Sequence, residues 1–227
     1  METNPTTCQI KICGLTDPDE AAACADAGAN AIGLVFYEKS KRCVSPDLAN
    51  RISQALPDAV PAIGVFVNET AATILTVAAK GGLSGVQLHG QEPPELVQQL
   101  KCRGLLVIKA LYLKSAPSIA RAGEYGADAC LVECAGGVLP GGNAMAWDWK
   151  EAAGFGETHP LILAGGLDSE NVATAIESAR PDGVDVSSGV EFSPGKKDIN
   201  KVKAFVKAVN QCLSHTPIRR IFNVHGK

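Results

Sequence analysis

A cysteine stands where a strand-like run gives way to a glycine turn. Cys13 ends the apolar run Gln9–Cys13, and Gly14 follows it. The reference pKa of a thiol is about 8.5, so some thiolate is present near neutral pH and can act as a base or a nucleophile. A buried cysteine can also behave as a small apolar residue, and for an arbitrary cysteine that role is favoured. The elements around Cys13 therefore decide between the two interpretations.

The composition indicates a soluble globular protein with a full core. Of the 227 residues, 46% are hydrophobic and 20% are charged. The net charge of −3 argues against a nucleic-acid binder, which usually carries a basic patch. Two short basic runs occur, Lys196-Lys197 and Arg219-Arg220, and we expect the second to be a solvated surface.

The cysteines fit a reducing, cytoplasmic setting without a metal site. The chain has eight of them and no CxxC pair, and no His/Cys pair at zinc spacing accompanies Cys130 and Cys134. Several lie in apolar runs, which suits reduced, buried thiols. The segment before the first strand is polar and short, unlike a secretory leader, and no apolar run approaches the length of a membrane span. We expect no metal, no nucleic-acid partner and no membrane partner.

Short apolar runs alternate with longer helical stretches along the whole chain. Eight runs are predicted as strands: Gln9–Cys13, Ala31–Phe36, Ala62–Val67, Gly85–His89, Leu105–Leu111, Ala129–Glu133, Leu161–Ala164 and Gly183–Ser187. Helices are predicted between them, among others Pro18–Gly28, Glu69–Lys80, Pro94–Lys101, Ser169–Ser178 and Asp198–Leu213.

This alternation predicts an α/β fold, a single (β/α)8 TIM barrel. Continuous apolar strands joined by helices indicate a parallel sheet covered on its faces, and eight such units in one chain favour closure. An open doubly wound sheet is the alternative, but no GxGxxG follows the first strand. We assign residues 1–227 to one barrel domain, with a short C-terminal tail from about residue 214.

Residues two apart on a strand share a face, so several polar side chains are predicted to point into the barrel. If Cys13 points into the mouth, Lys11 lies one layer below it. Lys11 and Lys109 could offset Glu133 and Asp185, because buried charges persist when they are paired or functional. The same spacing places Gln87 with His89 and Asp185 with Ser187.

Two late segments are predicted to hold an anion. Gly165 and Gly166 follow the seventh strand, and Ser187, Ser188 and Gly189 follow the eighth. In barrels, these two loops often bind phosphate through backbone N–H groups and a short extra helix. The expected ligand is a small phosphorylated metabolite.

Seven segments carry a more specific pattern. In chain order they read KICGLT, GLVFYEKSKRCVS, AIGVFVN, VQLHGQE, VIKA, LILAGGLDSENV and GVDVSSGVEFSPGKKD. Together they closely resemble the phosphoribosylanthranilate isomerase family of tryptophan biosynthesis, over about residues 9–206. The resemblance implies an Amadori rearrangement of N-(5-phosphoribosyl)anthranilate to 1-(2-carboxyphenylamino)-1-deoxyribulose 5-phosphate, with no cofactor.

The resemblance also implies roles for individual residues. Cys13 matches the family's general base, and Glu133 stands where the family has an aspartate as general acid. Arg42 matches the arginine that binds the anthranilate carboxylate. Asp185 and His89 are assigned to substrate binding, each with a purely structural role as the alternative.

Three further departures from the family pattern leave alternatives open. Ala144 and Met145 stand in the sixth loop where a glycine and a lysine are usual, and Cys43 stands where a tyrosine is common. The changed sixth loop could admit a related aminoaldose phosphate, such as an intermediate of histidine biosynthesis. The same loop together with Glu133 could instead indicate a phosphate-binding barrel without catalysis. The family permits a monomer or a homodimer.

Overall fold

A closed parallel barrel forms the centre of the molecule. The structure, a computed structural model, describes residues 7–134, 147–213 and 217–222. Eight strands pair in chain order, and the eighth closes on the first. They are β1 Gln9–Cys13, β2 Ala31–Val35, β3 Ala62–Phe66, β4 Gly85–Leu88, β5 Leu106–Tyr112, β6 Ala129–Glu133, β7 Leu161–Leu163 and β8 Gly183–Val186.

The predicted fold class is confirmed, and each predicted strand ends within one residue of the observed one. Helical crossovers join successive strands, which keeps the strands parallel and places the helices on the outer face of the barrel. Side chains fill the inside, so both faces of the sheet are buried. The register between β1 and β8 places Lys11 opposite Asp185. That between β5 and β6 places Tyr112 opposite Glu133.

Helices surround the barrel, and short elements add to its rim. The helices are α1 Pro18–Asp26, α2 Pro46–Ala55, α3 Ala71–Gly81, α4 Pro94–Lys101, α5 Ala122–Tyr125, α6 Phe155–Thr158, α7 Val172–Ala179 and α8 Ile199–Asn210. Three 3₁₀ turns, Ile119–Arg121, Trp149–Ala152 and Ser188–Val190, and a hairpin of β9 Glu191–Ser193 with β10 Lys196–Lys197 complete the described elements.

The sequence explains where the main helices begin. Asp17, Ser45, Thr70 and Asp198 accept hydrogen bonds from backbone N–H groups in the first turns of α1, α2, α3 and α8. Such side-chain caps satisfy N–H groups that have no partner inside the helix. Within the described ranges, no helix is long and apolar enough to cross a membrane.

The apolar residues form two clusters, one on each side of the sheet. The larger lies between the strands and the helices. The smaller fills the barrel from within and consists of Ala31, Ile63, Ile108, Ala110, Ala129, Leu131, Ile162, Ala164, Ile221 and Phe222. The last two belong to the C-terminal segment 217–222, so that segment closes the end of the barrel opposite to the strand C-termini.

Polar contacts hold this segment in place, and they correct the expectation that Arg219-Arg220 is a solvated surface. Arg219 is not a merely solvated surface residue, because its guanidinium pairs with the buried Asp182 at 2.6 Å and donates to the carbonyl groups of Gly156 and His159. Gln9 donates to the Arg219 carbonyl at 2.7 Å. The tail thus contributes a buried part of the fold, which charge patterning alone did not reveal.

Candidate active site

Cys13 lies at the mouth of the barrel, where the strands end. The residue is 8% exposed. Its neighbour across the sheet is Gly33, and a Cβ at that position would come within 2.7 Å of the Cys13 sulfur. The carbonyl of Cys13 accepts a hydrogen bond from the Ser187 hydroxyl at 3.0 Å. Gly14 follows with a φ of +82°, a conformation that glycine adopts without strain.

Positive charges surround the thiol. Lys11 is fully buried one layer below, as its spacing predicts, and its Nζ lies 2.8 Å from Asp185 Oδ1. Burial raises the pKa of the Cys13 thiol, and the nearby Asp185 acts in the same direction. The ammonium groups of Lys11 and Lys197 oppose this shift, and Lys11 has the larger influence of the two. The thiolate, once formed, therefore has two cations to stabilise it.

Glu133 ends β6 on the same mouth. Its side chain is 12% exposed. Burial, followed by the charge of Asp185, raises the pKa of the Glu133 carboxyl to about 7, against the opposing influence of Lys11. A large fraction of a carboxyl with such a pKa is protonated at neutral pH, so the group can serve as a general acid.

The partner of Lys109 is neither Glu133 nor Asp185, the two carboxylates that alternation suggested for the buried lysines. Its buried Nζ lies 2.9 Å from Glu92 Oε2 and also donates to the carbonyl groups of Leu88 and Gly90. Glu92, just beyond β4, turns back over the strand end, which strand alternation cannot foresee. Lys109 therefore does not offset Glu133. Lys11 pairs with Asp185 and only opposes the raised pKa of Glu133.

His89 lies beside Glu133. Its Nε2 is 4.0 Å from Glu133 Oε2, and its Nδ1 is 2.7 Å from Gln87 Nε2. Burial, with the charges of Lys109 and Lys11, lowers the pKa of the imidazole to about 3, so the ring is neutral. The buried His89 Nε2 and Gln87 Oε1 have no hydrogen-bond partner within the described part of the chain.

Arg42 and Glu191 join the second loop to the hairpin after β8. The guanidinium donates to both oxygens of Glu191, at 2.8 Å from Nε and 2.6 Å from Nη2. The same carboxylate accepts from Lys197 Nζ at 2.8 Å and from the Gly195 N–H at 3.2 Å. Nη1 of Arg42 takes part in none of these bonds within the described part of the chain, so it can donate to another acceptor.

The two glycine loops flank the same mouth. Gly165 and Gly166 have φ values of 90° and 69°, conformations that glycine adopts without strain. A Cβ at Gly189 would overlap the carbonyl oxygen of Leu167. Ser188 begins the short 3₁₀ turn, while Ser187 directs its hydroxyl towards β1.

Sequence reasoning missed three buried charges of this region, namely Glu92, Glu191 and Lys197. Glu191 and Lys197 stand in the family segment GVDVSSGVEFSPGKKD. The sequence therefore contained a signal for both residues, but it did not indicate that they contact each other. The departures at Ala144 and Met145 lie outside the described residues. Among the residues that the structure describes, no group of three His, Cys, Asp or Glu side chains could hold a metal ion.

The fold and this mouth define a class of protein, a (β/α)8 barrel enzyme with a buried thiol and a proton-bearing carboxyl beside glycine loops. A family model described as N-(5′-phosphoribosyl)anthranilate isomerase matches residues 10–208. The chain belongs to this family.

Individual relatives agree with the family match. The chain is 54% identical over 215 residues to the N-(5′-phosphoribosyl)anthranilate isomerase of Desulfatibacillum aliphaticivorans, which covers 95% of this chain and 99% of the relative. It resembles a crystal structure of monomers of the dimeric isomerase from Thermotoga maritima, with a TM-score of 0.80, 41% identity, and coverage of 90% and 99%. It also resembles an isomerase in complex with reduced 1-(o-carboxyphenylamino)-1-deoxyribulose 5-phosphate, with a TM-score of 0.80, 42% identity and the same coverage.

Proposed function

We propose that the chain isomerises N-(5′-phosphoribosyl)anthranilate by general acid–base catalysis, with Glu133 as the acid and Cys13 as the base. The reaction is a step of tryptophan biosynthesis. One observation supports the assignment most strongly, namely a buried carboxyl with a pKa of about 7 at the same mouth as a thiol flanked by two ammonium groups. The acid carries the proton that it gives, and the two ammonium groups beside Cys13 favour the thiolate that acts as the base.

The acid acts first. Glu133 gives its proton to the furanose ring oxygen as the bond from C1′ to that oxygen breaks. The nitrogen lone pair forms the C=N bond of the open-chain Schiff base, so the electrons of the broken bond leave with the oxygen. A carboxyl with a pKa near the working pH suits this task, because it is protonated and still a good donor. Glutamate has one methylene more than aspartate and reaches further into the mouth.

The base acts second. The Cys13 thiolate removes the proton from C2′, and the electron pair moves into the C1′–C2′ bond to neutralise the Schiff base as an enolamine. The Cys13 thiol returns its proton to C1′ and the Glu133 carboxylate takes up the hydroxyl proton at C2′, which gives the ketone and restores the thiolate and the acid. Lys11 and Lys197 favour the thiolate electrostatically, while Lys11 remains paired with Asp185.

Binding groups for both ends of the substrate lie around this pair. We assign the anthranilate carboxylate to Arg42. Glu191 holds the Nε and Nη2 side of its guanidinium, and Nη1 can donate to the substrate carboxylate. The phosphate is assigned to the backbone of the two glycine loops, with Gly165, Gly166, Ser187, Ser188 and Gly189 as its residues. Asp185 and His89 are assigned to the sugar between these ends.

The family match and the identity to the Desulfatibacillum relative favour this reaction over the two alternatives, a broadened substrate and a barrel without catalysis. We propose a cytoplasmic enzyme that acts as a monomer or a homodimer. The relative from Thermotoga maritima is described as dimeric. Sedimentation velocity of the purified chain measures which of the two assemblies it forms.

The test is turnover of substrate generated in situ from anthranilate and phosphoribosyl pyrophosphate, followed by the loss of substrate fluorescence. We expect Cys13→Ala and Glu133→Gln each to lower kcat by about 10²–10⁴-fold, the usual contribution of one acid or base. Cys24→Ala removes a buried thiol of α1, and Glu124→Gln neutralises an exposed glutamate. Both controls are expected to stay within about twofold of the wild type, since their groups lie outside the mouth.

Two results would overturn the proposal. A wild-type protein that leaves the substrate fluorescence at the uncatalysed rate would refute the function itself. A Cys13→Ala or Glu133→Gln variant with near-normal kcat would refute the role of that residue and leave the function standing.

A further inference from the structure

The strongest unexplained feature of the mouth is the pair Gln87 and His89. Both side chains are buried, at 1% and 5% exposure, and they point to the same face because they are two residues apart at the end of β4. Gln87 Nε2 lies 2.7 Å from His89 Nδ1. An amide nitrogen can only donate, so Nδ1 is the acceptor and the proton of the neutral ring resides on Nε2.

The Nε2–H group has no partner within the described residues, although it is buried. A buried donor that stays unpaired costs stability, so a histidine with a purely structural role would be expected to have both nitrogens bonded. The ring itself is well fixed. The Tyr112 hydroxyl donates to the His89 carbonyl at 3.3 Å, and the two rings meet edge to face at 6.2 Å between centroids.

The free donor faces the acid. The distance of 4.0 Å between His89 Nε2 and Glu133 Oε2 is too long for a hydrogen bond between them. It is, however, short enough for a single oxygen atom to lie within hydrogen-bond distance of both. The two groups therefore converge on one position in the mouth, and that position suits an oxygen atom of the substrate.

We propose that Gln87 is a positioning residue, which holds His89 as the neutral Nε2–H tautomer so that it donates to the same substrate oxygen that Glu133 protonates. This inference rests on the proposed function and assigns that oxygen to the furanose ring. As the bond to C1′ breaks, charge develops on the oxygen, and a second fixed donor stabilises it. The imidazole proton stays on the ring, and only the Glu133 proton is transferred.

A neutral ring is necessary for this arrangement. An imidazolium 4.0 Å from Glu133 would favour the carboxylate and remove the proton that the acid has to give. Lys109 and Lys11 lie near the ring and oppose its protonation. The lysines, the glutamine and the unpaired Nε2 thus act together to provide an uncharged donor beside an uncharged acid.

The first test reads the tautomer without any turnover. The ¹⁵N spectrum of the imidazole in the substrate-free protein separates a nitrogen that bears a proton from one that does not, and a His89→Gln sample identifies the signals of His89. We expect the proton on Nε2 in the wild type. In Gln87→Glu the carboxylate accepts from the ring, so we expect a proton on Nδ1. A wild-type spectrum with the proton on Nδ1 would overturn the proposal.

The second test joins the tautomer to the chemistry. Gln87→Glu is expected to lower kcat about 100-fold and to change KM less than about threefold, since a donor to the transition state is lost. An altered tautomer with an unchanged kcat would contradict the inference. Failure of the proposed function has a different signature, because the wild type itself would then give no turnover while the spectra remain interpretable.

A second pair of variants covers the case in which Gln87→Glu does not fold. His89→Gln places an amide N–H group close to the position of Nε2, whereas His89→Phe keeps the ring volume and removes the donor. We expect kcat of His89→Gln to exceed that of His89→Phe by at least about tenfold. Equal kcat values in the two variants would show that the donor has no role in the reaction.

Discussion

The two ends of the barrel treat their buried polar groups in opposite ways. At the base, both polar atoms of the Gln9 side chain are bonded, since Nε2 donates to the Arg219 carbonyl and Oε1 accepts from the N–H groups of Ile221 and Phe222. At the mouth, Gln87 Oε1 and His89 Nε2 have no partner within the described residues. The base is built for stability, whereas the mouth keeps hydrogen-bonding capacity for a ligand.

Two carboxylates, Asp182 and Glu133, show the same contrast. The carboxylate of Asp182 at the base receives hydrogen bonds from Arg219 and from the Leu161 N–H. At the mouth, the carboxylate of Glu133 lies 4.0 Å from His89 Nε2, and burial raises its pKa to about 7. An unsatisfied buried polar group costs about 1–3 kcal/mol. The contacts at the base offset such costs. We therefore expect substitutions at the base to change mainly stability, and substitutions at the mouth to change mainly activity.

The largest effect on stability is expected at the base. Phe222→Ala removes a ring that is 4% exposed inside the barrel cluster, and we expect the free energy of unfolding to fall by about 3 kcal/mol. Chemical denaturation measures this loss. The kcat at 25 °C should stay unchanged, because the ring lies at the end opposite to the mouth. Leu213→Ala, at a residue that is 66% exposed, is the control and should change stability by less than about 0.5 kcal/mol. A large loss of kcat in Phe222→Ala would show that the two ends are coupled.

The next effect in size concerns the stability contributed by Glu133. Its raised pKa means that the folded state holds the proton more tightly than the unfolded state, between about pH 4.5 and pH 7. The resulting stability is fully present below the unfolded pKa and is lost as pH rises through about 7. Glu133→Gln should therefore become more stable relative to the wild type by about 3 kcal/mol between about pH 4 and pH 8. Parallel denaturation curves at the two pH values measure the difference. No change in it would show that the carboxyl ionises normally.

The smallest effect is expected from Glu191. Glu191→Gln removes the charge that holds the Arg42 fork, so we expect KM to rise about tenfold, or about 1.4 kcal/mol, with a smaller change in kcat. Steady-state kinetics separate the two constants. Glu151→Gln neutralises the exposed partner of Lys114 and should change neither. A normal KM in Glu191→Gln would argue that Arg42 does not depend on its buried partner.

Local patterns predicted the barrel and the ends of its strands. Apolar runs and turn residues specify each strand, and the ordinal position of a strand end places Cys13 and Glu133 at one mouth. The contacts of the charged residues could not be read in this way. Arg42 and Glu191 are 149 residues apart in the chain, and the hairpin after β8 brings them together. The segment 217–222 has three buried apolar residues, Ile218, Ile221 and Phe222, but it forms no helix or strand, so no periodic pattern predicted its burial.

The acid and the base together predict an unusual pH dependence. The active form needs Glu133 protonated, with a pKa of about 7, and Cys13 ionised, with a pKa above its ordinary value. This form is a minor species at every pH, because the acid loses its proton before the thiol does. Its concentration rises up to about pH 7, is level between the two pKa values and falls above the second.

The most direct test of the acid–base assignment is kcat/KM as a function of pH in the wild type and in Glu133→Gln. The assignment predicts a break near pH 7 in the wild type that is absent in the variant. In the variant kcat/KM should be lower throughout and continue to rise until the thiol is ionised. A Glu133→Gln profile that keeps the break near pH 7 would contradict the assignment of Glu133 as the acid.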